Sequence, residues 1–204
     1  AESGLEEQYI ACEGGELRAG WMPARRPLQE AVDRLGLELP SGYISEINLR
    51  LQPWIGELGR LISRGAAQLV DYGYERRDYY SPDRNSGTLL CHYRHHANTD
   101  PLYLPGMQDI TAHVDFTAVA EAADSAGLAV SGYTSQAAFL LGCGIEQMLE
   151  AMAHKQDAEW FALVEGFKRL VLPTEMGERF RVMALTRGLQ TAPEGFTQDM
   201  RFRL

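Results

Sequence analysis

The sequence predicts an α/β fold, and more narrowly the second half of an open α/β sheet. Short strand patterns at 69–73, 128–133 and 180–186 alternate with helical patterns, which is typical of this fold class. The 204 residues suffice for one hydrophobic core but are few for two full domains. No G-x-G turn follows a strand, so no phosphate or nucleotide cradle is visible. A whole doubly wound domain would have further strands before residue 1.

Charge and cysteine content narrow the function classes. The chain carries 28 acidic and 19 basic residues, a net charge of −9, which argues against nucleic acid as the main partner because phosphates need a basic surface. Cys12, Cys91 and Cys143 are odd in number and widely spaced, so we expect a reducing compartment, the cytoplasm, and no disulfide framework. No apolar run spans a membrane, and residues 1–4 are not a signal peptide.

The N-terminal segment predicts a hairpin followed by a helix. Strand patterns at 9–12 and 17–21 flank Gly14-Gly15, a dipeptide that favours a tight hairpin turn. Pro27 suits the first turn of a helix, and Gly36 is expected to end it.

The middle of the chain predicts a helix followed by a buried strand. Asn48 can cap a helix that runs to about Arg64, and Pro53 should kink this helix or shift its start. Gly65 is expected to end the helix. The apolar strand at 69–73 follows and closes on an acid and a glycine, the pattern of a strand buried on both faces.

The remaining sequence alternates between irregular and regular patterns. Residues 74–112 contain one strand candidate at 88–93, and so long an irregular segment is often functional. The other predicted elements are a helix capped by Asp115 and ending at Gly127, the strand at 128–133, a helical segment at 134–172 with breaks at 142–144 and near Asp157, the strand at 180–186, and a tail over 187–204.

These elements predict a single region over residues 1–204 without internal repeats. Its expected parts are a hairpin and helical insertion at 1–47, α/β units at 48–133 that include the long loop 74–112, a helical segment at 134–172, and a final strand and tail at 173–204.

Several motifs occur in a recognisable order. They are Glu46-Ile47-Asn48, Leu69-Val70-Asp71-Tyr72-Gly73-Tyr74, Gly87-Thr88-Leu89, the 108–117 string QDITAHVDFT, the 132–140 string GYTSQAAFL, and Met176-Gly177-Glu178-Arg179-Phe180. Over about residues 5–186 the chain resembles the MidA-like family of class I S-adenosylmethionine-dependent methyltransferases, which includes mitochondrial complex I assembly factors. The strings at 109–116 and 176–180 are the specific ones.

The resemblance implies the C-terminal part of a Rossmann-like methyltransferase sheet with an added helical segment. It also implies S-adenosylmethionine as cofactor and, in mitochondrial members, methylation of an arginine on a protein subunit of respiratory complex I. The family's cofactor glycine motif and ribose-binding acid lie upstream of this chain. We therefore expect the 204 residues alone to bind S-adenosylmethionine more weakly than about 10 μM.

Four residues are candidates because they lie at the ends of extended segments. Asp71 closes the predicted buried strand, where ligands bind in open α/β sheets, and Tyr72 and Gly73 begin the loop there. Glu46 closes a shorter extended piece at 43–47. We assign Asp71 to catalysis and Glu46, Tyr72 and Gly73 to the cofactor. The structural alternatives are a plain Asp-x-Gly turn and a first-turn helix acid.

The densest polar cluster contains Asp109, Thr111, His113 and Asp115. Arginine methylation needs an acid that orients the planar guanidinium and accepts its proton, so Asp109 and Asp115 are catalytic candidates and His113 is a candidate proton acceptor. Alternatively, Asp115 only caps the next helix, and Asp109 and Thr111 only bond loop amides.

The sequence Cys91-His92-x-x-His95-His96, with Asp100 beyond, invites a zinc interpretation. Zinc needs four converging ligands, whereas Cys91 and His92 would point to opposite faces of a strand. We expect no bound metal, and we predict that Cys143 is a small buried thiol.

Three functions remain open. The first is an enzyme that acts on a protein substrate, in the cytoplasm or, if eukaryotic, in the mitochondrial matrix. The second is a non-catalytic binding or assembly module of the same fold, and the third is a metal-binding loop protein. A sheet cut between strands would expose an apolar edge, so we expect either a longer natural protein or a homo-oligomer that covers this edge.

Overall fold

A computed structural model of the chain describes residues 4–153 and 157–204. The strands are β1 Glu6–Glu13, β2 Glu16–Pro23, β3 Gly65–Tyr74, β4 Leu90–Tyr93, β5 His96–Asn98, β6 Asp109–Thr111, β7 Val114–Asp115, β8 Ala129–Ser135 and β9 Phe180–Arg187. The helices are α1 Arg26–Leu35, α2 Leu51–Leu61, α3 Arg76–Tyr79, α4 Phe116–Ser125, α5 Gln136–Gly142, α6 Ile145–Met152 and α7 Ala158–Val171, with 3-10 turns at Pro82–Arg84 and Arg201–Arg203.

The chain divides into two compact units. Unit 1 contains Ala1–Arg50 and Tyr80–Ala112, and unit 2 contains Leu51–Tyr79 and His113–Leu204. The irregular segment predicted at 74–112 therefore belongs mostly with the N-terminal hairpin and helix, and unit 2 contains the larger sheet.

In unit 1, the hairpin and the first helix follow the prediction. β1 and β2 pair antiparallel through a turn in which Gly14 and Gly15 both have positive φ, 62° and 88°. Pro27 lies in the first turn of α1, and Gly36 ends the helix in the left-handed conformation. Local turn and capping residues thus determined these boundaries.

Unit 1 also contains a small sheet that the sequence did not reveal. β4 lies between β5 and β6 and pairs antiparallel with both. The single strand expected at 88–93 is confirmed as β4, but its two partners are only three residues long and polar. Such short strands lack the periodicity by which strands are recognised.

The sheet of unit 2 has the order β7-β3-β9-β8. β9 is the last strand in sequence, yet it lies between β3 and β8 and runs antiparallel to both. β3 and β8 are therefore parallel to one another, and their carboxyl ends lie at the same edge of the sheet, next to the start of β9. This mixed α/β architecture is Rossmann-like, as predicted.

β3 differs from the predicted strand in length and burial. It begins at Gly65 and continues to Tyr74, because β9 pairs with it from Gly65 to Tyr72 and β7 pairs with its last two residues. The expectation that Asp71 ends the strand and that Tyr72 and Gly73 begin a loop is therefore wrong. The strand is also not buried on both faces, since Val70 is 48% exposed.

One hydrophobic core joins α2 and α4 to a face of this sheet. Its buried members are Ile55, Phe116, Val119, Ala122, Ala123, Leu128, Tyr133, Met183 and Leu185. α2 begins at Leu51, so Pro53 lies within the first turn, where its missing amide costs no helical hydrogen bond. Of the two effects expected from this proline, the shifted helix start is the one observed.

Arg187, the last residue of β9, ties the ends of two helices to the sheet. Its guanidinium donates hydrogen bonds to the carbonyls of Gly59 and Ile62 at the end of α2, and to those of Ala126 and Gly127 just after α4. Helix C-termini leave carbonyls without intrahelical partners, and here one side chain satisfies four of them.

The helical segment after β8 contains α5, α6 and α7, with a break at 142–144 as predicted; residues 154–156 of the predicted segment lie outside the described residues. The carbonyl of Gly177 accepts a hydrogen bond from the amide of Ala137, and Gly177 packs so closely on the backbone at the end of α7 that a Cβ atom would overlap it. Cys143 is exposed, so its predicted burial is wrong. In the described part of the chain, no helix is long and apolar enough to cross a membrane.

Candidate functional site

Asp71 and Tyr72 lie side by side near the carboxyl end of β3. The Asp71 side chain is exposed, and its Oδ1 accepts a hydrogen bond from the Tyr72 amide at 2.8 Å. The Tyr72 ring lies on the other face of the strand and packs edge-on against His113 and Phe180, with centroid distances of 5.4 and 5.5 Å. Asp71 is thus accessible to a ligand, whereas Tyr72 is engaged in an aromatic cluster.

His113 lies between two tyrosine rings. Its centroid is 5.4 Å from that of Tyr72 and 5.2 Å from that of Tyr74. Gly73, between these tyrosines, is buried, and an added Cβ would overlap the backbone of Val114 in β7. The glycine therefore permits the close pairing of β3 with β7, which brings His113 to the tyrosines.

Asp115 caps α4, which was predicted from the sequence as the alternative to a catalytic role. Its Oδ1 accepts a hydrogen bond from the Ala118 amide at 3.0 Å, and its Oδ2 lies 3.6 Å from Nε of Arg76. Burial raises the pKa of the Asp115 carboxyl, and the cap and the Arg76 charge partly oppose that rise. The side chain is only 10% exposed, so a role in catalysis would need a ligand to reach it.

Arg76 fastens the carboxyl end of β3 to α4. Its guanidinium donates two hydrogen bonds to the Glu121 carboxylate, at 2.7 and 2.5 Å, and its backbone amide donates one to Thr117 Oγ1 at 2.9 Å. Hydrogen bonding to Glu121 raises the pKa of Arg76. This bidentate pair holds the first turns of α4 beside the strand end.

In unit 1, the structure gives Glu46 a structural role. Its carboxylate accepts hydrogen bonds from the amide and the hydroxyl of Thr88, both at 2.9 Å, and from the amide of Leu89 at 3.2 Å. Gly87 has a positive φ of 82°, and a Cβ there would overlap the carboxylate. Glu46 therefore organises the Gly87-Thr88-Leu89 loop, and cofactor binding by this residue stays a prediction.

Asp109 and Thr111 lie on β6 of unit 1. Asp109 is exposed and pairs across the strands with His92, and the Thr111 hydroxyl donates to the carbonyl of Leu90 at 3.0 Å. His113 and Asp115 belong to unit 2. The polar cluster predicted from sequence is thus distributed over two units, and the catalytic assignments of its members stay predictions.

The Cys/His segment has the strand geometry expected from its spacing. On β4, Cys91 is buried and His92 is exposed, and burial raises the pKa of the Cys91 thiol. Within the described ranges, no group of three or more His, Cys, Asp or Glu side chains is arranged to hold a metal ion.

A buried polar group at the carboxyl ends of β3 and β8 was not predicted from the sequence. Glu75, Tyr133 and Arg181 are 2%, 0% and 6% exposed. Burial, and then the negative charge of Glu75, raise the pKa of the Tyr133 hydroxyl, although these two groups are not in hydrogen-bond geometry. In the sequence, only its position directly after a strand distinguishes Glu75. Charged residues follow it immediately, so it does not stand out from them.

Comparison with known proteins identifies the family. Residues 1–134 match the family model described as "Putative S-adenosyl-L-methionine-dependent methyltransferase". The chain belongs to this family. The match covers more than half of the chain and includes β3 with its candidate residues, so the resemblance inferred from the motifs is confirmed.

Named relatives share this part of the chain. The mitochondrial protein arginine methyltransferase NDUFAF7 of Bos taurus is 36% identical over 135 residues, which are 64% of this chain and 29% of that protein. The NDUFAF7 homolog of Drosophila melanogaster is 29% identical over 191 residues, 90% of this chain and 41% of that protein. The chain thus spans less than half the length of these relatives.

Solved structures agree over the whole chain. Two crystal structures of a superfamily member from Burkholderia thailandensis, one native and one with S-adenosyl-homocysteine bound, each have a TM-score of 0.92 and 36% identity to this chain. They cover 100% of this chain, which corresponds to 55% and 53% of those chains. The family cofactor is therefore S-adenosylmethionine, whose demethylated product is the ligand in one of them.

The cofactor assignments made from sequence do not build a cradle in this chain. Glu46 is saturated by loop donors, the Tyr72 ring packs on His113 and Phe180, and Gly73 lies against β7. The sequence offers no glycine-rich turn between a strand and a helix, which is the usual nucleoside-binding feature of this fold. The assignment of Glu46, Tyr72 and Gly73 to the cofactor therefore stays a prediction.

Proposed function

We propose that this chain is the substrate-side part of an S-adenosylmethionine-dependent methyltransferase that methylates an arginine of a protein. The observation that carries the proposal is the group of acidic side chains around the carboxyl end of β3, which includes the exposed Asp71 and the buried Asp115. Relatives with 36% and 29% identity are named protein arginine methyltransferases, which favours arginine as the acceptor.

The chemistry requires little of the protein beyond alignment and proton removal. A guanidinium nitrogen forms the new bond to the methyl carbon as the sulfur–carbon bond of the donor breaks, and the methylated guanidinium then loses one proton. A carboxylate that holds the guanidinium through paired hydrogen bonds orients this nitrogen and accepts the proton. Asp71 and Asp109 are the accessible candidates for accepting the proton, and His113 and Asp115 are the candidates that need a local rearrangement.

The methyl donor is bound mainly by parts of a longer protein, in this proposal. The outer edge of β3 pairs with β7 only at Gly73 and Tyr74 among the described residues, and Val70 beside this edge is 48% exposed. Further strands joined here would extend the sheet and bring a nucleoside-binding loop to it. Alternatively, a second copy of the chain would pair with this edge in a homo-oligomer.

Substrate and compartment are inferred from the relatives. A respiratory complex subunit is the proposed partner class, because the relatives act in mitochondria by name. A bacterial protein of this kind would act in the cytoplasm, and a eukaryotic one in the mitochondrial matrix. The Burkholderia thailandensis protein and the Bos taurus relative are both 36% identical, but the bacterial one covers 100% of this chain and the bovine one 64%, which favours the bacterial setting.

The competing proposal is a binding or assembly module of the same fold that transfers no methyl group. The exposed acid on β3 favours the enzyme. Both share the fold, so only a measurement of methyl transfer separates them.

The deciding experiment uses the full natural protein that contains these residues. It is incubated with S-adenosylmethionine labelled on the methyl group and with protein extracts, and mass spectrometry locates the label. We expect methylated arginine, and calorimetry should show that the 204 residues alone bind the cofactor more weakly than about 10 μM. Label on another residue type would reject arginine as the acceptor, and no transfer at all would favour the binding module.

A further inference from the structure

Glu75 is a buried carboxylate without adequate partners. It is 2% exposed and follows directly after β3, and neither of its oxygens has a hydrogen-bond partner among the described residues. A buried ionised carboxylate is costly unless it is paired and hydrogen-bonded. Tyr133 and Arg181 lie close by, but neither donates a hydrogen bond to it in the described structure. Both Glu75 oxygens therefore remain available to a donor that enters from outside, which is a property of binding sites more than of cores.

An arginine from the far end of unit 2 reaches this carboxylate. Nη2 of Arg203 lies 3.4 Å from Oε2 of Glu75 and donates a hydrogen bond of 2.7 Å to Oδ2 of Asp78. Glu75 and Asp78 are three residues apart across α3, so the two carboxylates flank one guanidinium. Two acids around one planar cation is an arrangement that recognises an arginine side chain.

The fit of Arg203 is partial. The guanidinium forms a hydrogen bond with Asp78 but not with the more buried Glu75, and 35% of the Arg203 side chain is exposed. A guanidinium that entered from solvent along a different direction could pair with Glu75 through two parallel hydrogen bonds. Arg203 is thus paired with Glu75 by charge at 3.4 Å but forms no hydrogen bond with it.

The Arg203 side chain can move away from the two acids while the backbone around it stays in place. The Met200 amide donates to the carbonyl of Tyr133 at 2.7 Å, and both Met200 and Leu204 pack against the hydrophobic core. Neighbouring Arg201 bonds to the carbonyl of Val130 at 2.9 Å. These contacts hold the backbone, so only the Arg203 side chain must rotate to open the space beside Glu75.

We propose that Glu75 and Asp78 form the guanidinium-binding site for the substrate arginine, and that Arg203 occupies this site as an internal competitor until a substrate displaces it. The proposal rests on the proposed arginine methyltransferase function and names the residues that would bind its acceptor group. Glu75 is the deep acceptor, Asp78 is the acceptor at the rim, and Arg203 lowers the apparent affinity for substrate.

The test measures binding of N-acetyl-arginine amide to the 204-residue chain by calorimetry, with the citrulline analogue as the uncharged control. We expect Arg203→Ala to bind the arginine probe about tenfold more tightly than the wild-type chain, and to bind the citrulline probe no better. Adding Glu75→Gln to Arg203→Ala should abolish the gain. Arg201→Ala, on the same turn but without contact to either acid, should bind like the wild type.

A measurement on the unmodified chain protects the test against a variant that fails to fold. Saturating N-acetyl-arginine amide should move the Arg203 Nε–H resonance in the NMR spectrum to the position of a free arginine, and Arg203→Gln should reproduce the tighter binding. The proposal is overturned if Arg203→Ala gains no affinity, if citrulline binds equally well, or if the Arg203 resonance stays in place.

These readouts contain no methyl donor, so they are separate from the proposed activity. A chain that binds the arginine probe as expected, within a full protein that methylates no arginine, would overturn the enzyme assignment alone. Methylation of arginine by a full protein whose Glu75→Gln variant keeps its KM would overturn the binding site alone.

Discussion

The two arginines at the ends of β9 differ in how completely the chain satisfies them and their neighbours. At one end, Arg187 donates to four backbone carbonyls that no helix satisfies. At the other end, Arg181 is buried beside Glu75 and Tyr133, and each of these three side chains has at least one polar atom without a hydrogen-bond partner in the described structure.

This difference between the two ends indicates that one end of β9 serves stability and the other serves function. A half-buried guanidinium that donates four hydrogen bonds fixes the positions of the elements around it. Buried polar atoms without partners lower stability, so their persistence calls for another explanation, such as a ligand. The Arg187 end is accordingly the framework of unit 2, and the Glu75 end is its candidate site.

The largest expected effect is at the framework end. Arg187→Ala should lower the free energy of unfolding by about 3 kcal/mol or more, because several partly buried carbonyls lose a charged donor at once. Urea denaturation followed by circular dichroism measures this loss. Arg169→Ala, at an exposed position of α7, serves as the control and should change the unfolding free energy by no more than about 0.5 kcal/mol; equal losses for both variants would contradict the framework role.

The next largest effect concerns the accessible acids. In the full natural protein, Asp71→Ala and Asp109→Ala should each reduce methyl transfer by about 100-fold, since each would remove a group that orients or deprotonates the acceptor. Their unfolding free energies should stay within about 1 kcal/mol of wild type, because both side chains are exposed. Unchanged turnover in both variants would reject their catalytic assignment.

A smaller effect should appear in the pH dependence of stability. Burial raises the pKa of Asp115 above its ordinary value of 3.8, so in the window above 3.8 the folded state binds more protons than the unfolded state. Stability from this group therefore falls as pH rises through that window. Asp115→Asn keeps a helix-capping side chain and should remove this fall.

The measurement for Asp115 is the free energy of unfolding from pH 3 to pH 7. As pH rises, the free energy of unfolding of Asp115→Asn should increase relative to that of the wild type, by about 1 kcal/mol or less. Asp124→Asn, at an exposed position of the same helix, is the control and should leave the wild-type profile unchanged. A profile of Asp115→Asn that is parallel to the wild type would show that the cap and Arg76 outweigh burial.

The smallest effect tests the other end of β9 directly. Tyr133→Phe removes a buried hydroxyl that has no hydrogen-bond partner in the described structure, so it should leave stability unchanged or raise it by about 0.5 kcal/mol. Thermal unfolding by calorimetry resolves such a shift. A loss of more than about 1 kcal/mol would mean that the hydroxyl is bonded in solution, and the contrast between the two ends would weaken.

Much of the fold could be predicted because its signals are local. Glycine turns, Pro27 and Asp115 act within one or two turns of chain, and the hairpin, α1 and α4 followed from them. The central position of β9 could not be predicted this way, because strand order is set by pairing between distant segments and has no marker in any single strand.

The site was harder to predict than the fold. Asp71 could be singled out because an acid is conspicuous in an apolar strand. Its position relative to the end of β3 could not, because pairing with β9 determines where the strand ends. Glu46 was chosen for its position, and only the structure showed that Thr88 and Leu89 use its carboxylate. Arg203 lies in a tail with no regular pattern, so nothing in the sequence connected it to Glu75.

The central position of the last strand also has a kinetic consequence. β3 and β8 do not pair with each other. The edges with which they face each other stay unpaired until β9 is inserted between them. Gly65 pairs with Arg187, roughly 120 positions away in sequence, and such distant contacts slow folding. During synthesis, both earlier strands would leave the ribosome with open edges, and this stretch of translation is when the chain is most prone to aggregation.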